Sequence, residues 1–309
     1  MIDKKLQNLR SKSFLSIQDF DSYQISSLIK LALEIKNKRI DFDFSGKTLG
    51  LIFEKSSTRT RVSFQIAMQR LHGSCIEINP SNSQIGRGEP IRDTVRVLER
   101  YVDALAIRTF EQEVLDEYKK WSSIPIINAL SDLEHPCQVL ADFVTIKEEF
   151  DSFDGLTISY IGDPNNVSNS LILCAAILGI KINIGCPQKF MPSKKILHRA
   201  SQLSVKENIV NVYNDPKEAV SSSNIVYTDV WSSMGQEARA NDKEKFFKDF
   251  IVDKNLLKMA APNHIVMHCL PAYRGKEISE ETFESNHSRI FIQAENRLHA
   301  QQALLALIL

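Results

Sequence analysis

The chain has 309 residues, 43% hydrophobic and 25% charged, the balance of a globular protein long enough for two cores of about 150 residues each. Lys+Arg and Asp+Glu both total 38, which excludes a partner recognised through net charge, such as nucleic acid or a membrane surface, and makes any positive site a local one. Cys75, Cys137, Cys174, Cys186 and Cys269 are odd in number and lack CxxC spacing, which excludes a disulfide frame or zinc knuckle and suits the reduced thiols of a cytoplasm.

In chain order, residues 15–38 read as one or two amphipathic helices, followed by an apolar strand over 47–53. A strand-to-helix turn, Ser57-Thr58-Arg59-Thr60-Arg61, comes next, and Phe64, Ala67, Met68 and Leu71 continue it at helical spacing. A short strand at 76–80 leads into the polar loop SNSQIGRGEPIRDT, then a helix over 90–101 and the strand DALAIRTF. IPIINA (124–129) is a further strand, LSDLEHPCQ a turn, and Pro136 to Phe150 a helix. LTISYIG (156–162) opens a second set, with DPNNVSN as a turn, SLILCAAILG as a helix capped by Gly179, and INIGCP (182–187) as a strand. NIVYTDV (224–230), HIVMHCLP (264–271) and RIFIQAE (289–295) read as strands, and the tail ENRLHAQQALLALIL as an amphipathic helix. Alternating strands and helices predict an α/β protein of two doubly wound parallel sheets linked by helices, with the last helix returning to the first domain. The expected domains are 1–134 with 296–309, and 135–295, with 136–150 as the linking helix. The charged N-terminus has no apolar region of a secretory signal behind it, and no stretch approaches the ~18 apolar residues of a membrane helix.

Ligands of doubly wound sheets sit at the carboxyl ends of strands. The residues found there divide by charge. The first half supplies donors and cations: Ser57, Thr58, Arg59, Thr60, Arg108, His135 and Gln138. The second supplies Asp163, Asn165, Asn166, Asp229, His268, Cys269 and Leu270, and Glu295-Asn296-Arg297 follows. Hydroxyls, guanidiniums and free helix N–H groups on one turn suit a phosphate dianion. No GxGxxG and no Walker sequence occurs, so the phosphate belongs to a small molecule. Plainer roles exist for single residues, such as packing for Cys269 or a turn cap for Asp229. His268, His299 and Cys269 do not make metal spacing, and no metal is expected.

FEKSSTRTR, the Arg108-Thr-Phe strand end, HPCQ, HCLPA and QAENRLH resemble, in order, the motifs of the aspartate/ornithine carbamoyltransferase family. DVWSSMG and HCLP resemble its ornithine branch, and the resemblance runs from about Phe14 to the C-terminus. It implies transfer of a carbamoyl group from carbamoyl phosphate to the side-chain amine of L-ornithine, giving L-citrulline and phosphate, at a site between two domains. By the same resemblance Ser57, Thr58, Arg59 and Thr60 hold the phosphate, while Arg108, His135, Gln138 and Arg297 surround the phosphate and carbamoyl oxygen. Cys269 and Leu270 lie at the reacting end, with Glu277 in a network behind the thiol. Asn166, Asp229, Ser233 and Met234 take the amino acid, and Gln84 comes from a neighbouring subunit of a homotrimer. Arg108, His135, Cys269 and Asp229 are the expected catalytic groups. The resemblance further implies no cofactor and a place in cytoplasmic arginine biosynthesis. Another amine, such as putrescine or an acylated ornithine, and a non-catalytic phosphometabolite-binding relative are the alternatives.

Charge suggests the chemistry. Arg59, Arg108 and Arg297 would neutralise the departing phosphate, with Thr60, His135 and Gln138 donating to the carbamoyl oxygen. The amine attacks directly, with Asp229 and Cys269 to steer it or take its proton.

Overall fold

The computed structural model describes residues 4–55, 57–232 and 240–309. Ser233 and Met234, expected to bind the amino acid, lie outside them. The chain divides into two compact units, one of 1–144 with 295–309 and the other of 145–294.

In the first unit β1 (Thr48–Phe53), β2 (Ser74–Ile78), β3 (Ala104–Arg108) and β4 (Ile126–Leu130) form a parallel sheet in the order β2-β1-β3-β4. Its helices are α1 (Ser22–Lys36), α2 (Thr58–Arg70), α3 (Ile91–Leu98), α4 (Gln112–Trp121) and the start of α5 (Pro136–Phe150). β3 and β4 are buried nearly end to end, as expected of parallel strands covered on both faces. The strand order reverses between β1 and β3, where Phe53 pairs with Arg108 at the carboxyl ends. A crevice for ligands forms at such a reversal.

The second unit repeats the plan with β5 (Thr157–Ile161), β6 (Lys181–Gly185), β7 (Val210–Tyr213), β8 (Ile225–Thr228) and β9 (Ile265–His268), in the parallel order β7-β6-β5-β8-β9. Its helices are α6 (Asn166–Leu178), α7 (Lys194–Leu203), α8 (Pro216–Val220), α9 (Ala240–Phe247), α10 (Lys254–Leu257), α11 (Glu280–Phe283) and the first turn of α12 (Ile290–Ile308). Here the order reverses between β5 and β8, whose ends pair Ile161 with Thr228. Gly162, at φ +134, leaves β5 in a conformation L side chains rarely adopt.

Four sequence expectations change. RIFIQAE is not a strand but the start of α12, a 19-residue helix. A short apolar run carries no period of its own, and the helical pattern of the tail simply begins earlier. DPNNVSN is only partly a turn, because α6 starts at Asn166 and Asn165 caps it. β7, α4 and α7 were not anticipated; β7 is a half-buried edge strand without an apolar run. The expected domain boundary lay before α5, whereas the units part inside that helix, at 144/145.

Candidate functional site

In the first unit the site starts at the mouth of α2. Ser57 occupies the N-cap position but makes no side-chain cap bond, and no acidic residue lies in the first turn. Helix N–H groups there remain donors, with the positive end of the dipole behind them. The Ser57 hydroxyl instead accepts from Arg108 Nη1 at 3.2 Å. Glu54, the nearby carboxylate of the FEKS turn, accepts from the Thr109 hydroxyl at 2.6 Å and from the Phe110 amide at 3.3 Å. Thr60 is buried and accepts from Arg297 Nη2 at 2.5 Å, which ties α2 to α12. Thr58 and Arg59 stay exposed.

Burial, then the charges of Arg297 and Arg59, push Arg108 down to about 10. Guanidiniums that disfavour one another's charge are the electrostatic counterpart of an anion site. His135 precedes α5, and its carbonyl accepts from the Gln138 and Val139 amides at 3.1 and 3.2 Å. Glu134 fixes that turn by accepting from the Ser16 hydroxyl and, at 3.2 Å, from the Ile17 amide. Burial, then Arg297 and Arg108, hold His135 well below the usual imidazole value. At neutral pH it is uncharged, with a single N–H to donate. Gln138 differs from the donor role expected of it. Its Nε2 already donates to Asp142 Oδ1 at 2.8 Å, and the end left over is Oε1, an acceptor.

In the second unit Asn165 joins two elements. Its Oδ1 accepts from the Val167 and Ser168 amides at 2.9 and 3.1 Å, capping α6, and its Nδ2 donates to Asp229 Oδ2 at 2.6 Å. Asp229 follows β8 and is fixed a second time by the Val230 amide at 2.8 Å. Asn166, half-buried on the first turn of α6, accepts from the Val167 amide at 3.0 Å. Asp163 is buried against Lys243 of α9 in an ion pair. Burial pushes this carboxyl up to about 6, Lys243 opposes the rise, and Asp229 adds to it.

β9 delivers Cys269 beside Asp229 and His268, with one donor atom from each of the three within 4.8 Å of the others. His268 Nδ1 accepts from the Leu270 amide at 2.9 Å, so the ring proton sits on Nε2, which donates to buried Glu277 at 3.0 Å. Glu277 also accepts from the Tyr273 amide at 2.6 Å. Leu270 is held at φ +60, a left-handed conformation unusual for leucine. Both nitrogens of His268 are therefore engaged in shaping the turn after β9, and neither has a lone pair to offer a metal without breaking it.

The structure thus gathers Ser57, Thr60, Arg108, His135 and Arg297 in one unit, and Asp229, Cys269 and Leu270 in the other. Gln84 is exposed in the 79–90 segment, and no partner was found for its side chain among the described residues. Sequence reasoning missed the roles of Asn165, Asp142 and the Asp163–Lys243 pair. The i, i+4 spacing of Gln138 and Asp142 was a signal available for the second.

Residues 12–148 match the family described as aspartate/ornithine carbamoyltransferase, carbamoyl-P binding domain, and residues 154–308 match the Asp/Orn binding domain of the same family. An ornithine carbamoyltransferase of Prochlorococcus marinus (strain MIT 9312) is 55% identical over 98% of this chain and 98% of that one. Among solved structures, ornithine carbamoyltransferase from Gloeobacter violaceus is 45% identical with TM-score 0.88, covering 97% of this chain and 99% of that one. The Pyrococcus furiosus ornithine carbamoyltransferase is 41% identical with TM-score 0.92, covering 97% of each. Motif order, both sheets and nearly full-length similarity agree, and the chain belongs to the aspartate/ornithine carbamoyltransferase family.

Proposed function

We propose that this chain transfers the carbamoyl group of carbamoyl phosphate to the side-chain amine of L-ornithine, releasing L-citrulline and phosphate. The observation that carries the reading is the mouth of α2, an uncapped helix start with Arg108 on Ser57 and Arg297 on Thr60. The first unit takes carbamoyl phosphate, with Ser57, Thr58, Arg59 and Thr60 on its phosphate, and 145–294 takes ornithine. Arg59, Arg108 and Arg297 balance the charge that grows on the leaving group. Neutral His135 donates its N–H to the carbamoyl oxygen, where charge accumulates in the tetrahedral state.

The amine of ornithine resembles that of lysine, with a pKa near 10.4, so only about one molecule in a thousand is neutral at pH 7. Asp229, Asn166, Ser233 and Met234 hold the amino acid, and Cys269 with Asp229 guides the amine and takes its proton. The amine nitrogen bonds to the carbonyl carbon, the bond from that carbon to the phosphate oxygen breaks, and its electron pair leaves with phosphate. Cys269 and Leu270 line the reacting end. No cofactor enters, because the leaving group is already activated. Holding the two reactants together supplies much of the rate.

The chain works as a homotrimer in which Gln84 serves a neighbouring copy, within arginine biosynthesis in the cytoplasm. Free cysteines throughout are in keeping with that compartment, and among the described residues no helix is long and apolar enough to cross a membrane. A citrulline colour assay with carbamoyl phosphate and ornithine, putrescine or acylated ornithine tests the reading. Colour with ornithine alone is expected. Product from another amine but not from ornithine would replace the substrate, and no product from any amine would leave a binding protein.

A further inference from the structure

A second polar pocket lies in the 145–294 unit, away from the carboxyl ends of its strands. His264 stands just before β9 and Cys269 just after it, about 16 Å apart along an extended chain. Beside His264, between α10, α11 and the turn before β9, is a pocket of 290 Å³ whose lining includes Leu257, Lys258, Glu281, Thr282, Ser285 and His287. An apolar cavity of about 150 Å³ admits benzene, so this one has room for two fused rings. His264 is 8% exposed and also lines the pocket. Its Nδ1 lies 2.7 Å from the Ala261 carbonyl, which only accepts, so the ring proton sits on Nδ1. Burial, opposed by that bond and reinforced by His287, holds the imidazole below its usual value. At neutral pH its Nε2 is therefore an acceptor, and it is buried without a hydrogen-bond partner among the described residues. The Ser285 hydroxyl is likewise buried without one.

His287 stacks on His264 with ring centroids 4.2 Å apart and planes 9° from parallel, and its Nδ1 donates to the His264 carbonyl at 2.9 Å. Parallel rings keep their lone pairs in planes that do not meet, so the pair does not suit a shared metal ion. At the rim Lys254 is answered by Glu281 at 3.0 Å, whereas Lys258 donates to the neutral amide oxygen of Asn255 at 3.0 Å. Of these three charges one positive is left over.

We propose that this pocket binds a planar aromatic monoanion carrying a ring N–H, the chemistry of an indole carboxylate. Each part of such a ligand answers a part of the wall. The N–H supplies the donor that His264 Nε2 lacks, and a buried bare acceptor is costly to leave unmet. The carboxylate meets Lys258 and accepts from the Ser285 hydroxyl. Fused rings fill the volume beside Leu257 and match the flat imidazole stack. An ammonium in place of the carboxylate would face Lys258 with like charge. The pocket is separate from the groups given to carbamoyl phosphate and ornithine, and stands or falls apart from them.

The test is calorimetry on the full-length chain with three probes. Indole-3-acetate has every feature, 1-naphthaleneacetate has similar rings and charge without the N–H, and indole lacks the charge. The wild type should bind indole-3-acetate about tenfold more tightly than 1-naphthaleneacetate, the worth of one hydrogen bond of ordinary strength. Indole should bind about threefold more weakly than indole-3-acetate, the worth of an exposed ion pair. His264→Phe keeps a ring in the stack and removes the acceptor. It should bring indole-3-acetate down to the level of 1-naphthaleneacetate and leave the latter unchanged. Lys258→Met should cost indole-3-acetate about threefold and leave indole as it was. Equal affinity of the wild type for the two acetates, or binding of none of the three probes, overturns the proposal. So does a His264→Phe chain in which both acetates weaken alike or neither weakens. If His264→Phe does not fold, a crystal of the wild type soaked with indole-3-acetate decides: the ring nitrogen should meet His264 Nε2, and an empty pocket or a ring turned the other way would overturn the proposal.

Discussion

The two units place polar groups at the same point of the same topology, the carboxyl ends of strands flanking a reversal in sheet order, yet they balance charge differently. At the mouth of α2, Arg108 is disfavoured by burial and by two other guanidiniums, and the helix start lacks a side-chain cap. In the second unit the groups answer one another: Asn165 to Asp229, His268 to Glu277, Lys243 to Asp163. A site of the first kind is completed by its ligand, because an anion relieves the repulsion. A site of the second kind is already satisfied, and its ligand must insert into a network that positions each atom in advance. Losing a cation should therefore act on binding, and losing a network member should act on orientation and rate.

The largest effects should fall on the first unit. Arg59→Ala and Arg108→Ala should each lower kcat/KM by about 10²–10³, as removal of a transition-state donor does. The carbamoyl phosphate KM should rise and the ornithine KM stay close to its original value. An unchanged carbamoyl phosphate KM in steady-state kinetics would erase the contrast between the units. In the second unit Asp229→Asn should raise the ornithine KM about tenfold, the value of one charged hydrogen bond. Cys269→Ser should lower kcat and move the pH–rate profile with little change in thermal unfolding. Equal activity across pH would reduce Cys269 to packing.

Much of this arrangement was legible in the residues. The five donors after β1, the Arg108 strand end and HPCQ could be placed on one edge because apolar runs mark strands and polar turns mark their carboxyl ends. What stayed hidden was pairing. Nothing local says that Asn165 rather than Asn166 reaches Asp229, since that depends on where α6 begins. Lys243 meets Asp163 across 80 positions of chain, a contact without any sequence period. The bond from Gln138 Nε2 to Asp142 was hidden in the same way, because it depends on which end of the amide faces its neighbour.

The sharing of sites proposed for Gln84 should give a smaller effect. Gln84→Ala and Arg59→Ala preparations, each inactive alone, should regain part of the wild-type activity after unfolding and mixed reassembly. Absence of recovery in mixed trimers verified by mass would contradict the role given to Gln84.

The smallest expected effect concerns stability. Asp163 has a folded value of about 6 against an ordinary 3.8. Within that window the folded chain binds more protons than the unfolded one, so this residue's contribution to stability falls as pH rises. The double variant Asp163→Asn/Lys243→Met removes both the titration and the buried partner. Its melting temperature relative to the wild type should climb between about pH 4 and 6.5 and then level off. A constant offset across that range in calorimetric scans would contradict the assignment.

The most direct test of the anion site at α2 is a crystal structure with a bisubstrate mimic, a phosphonate joined through an acyl group to the side-chain nitrogen of ornithine. The phosphonate should sit on the first turn of α2 with Arg59 and Arg108, and the amino-acid end should meet Asp229 and Asn166. A phosphonate bound elsewhere, with the first turn of α2 untouched, would contradict the account.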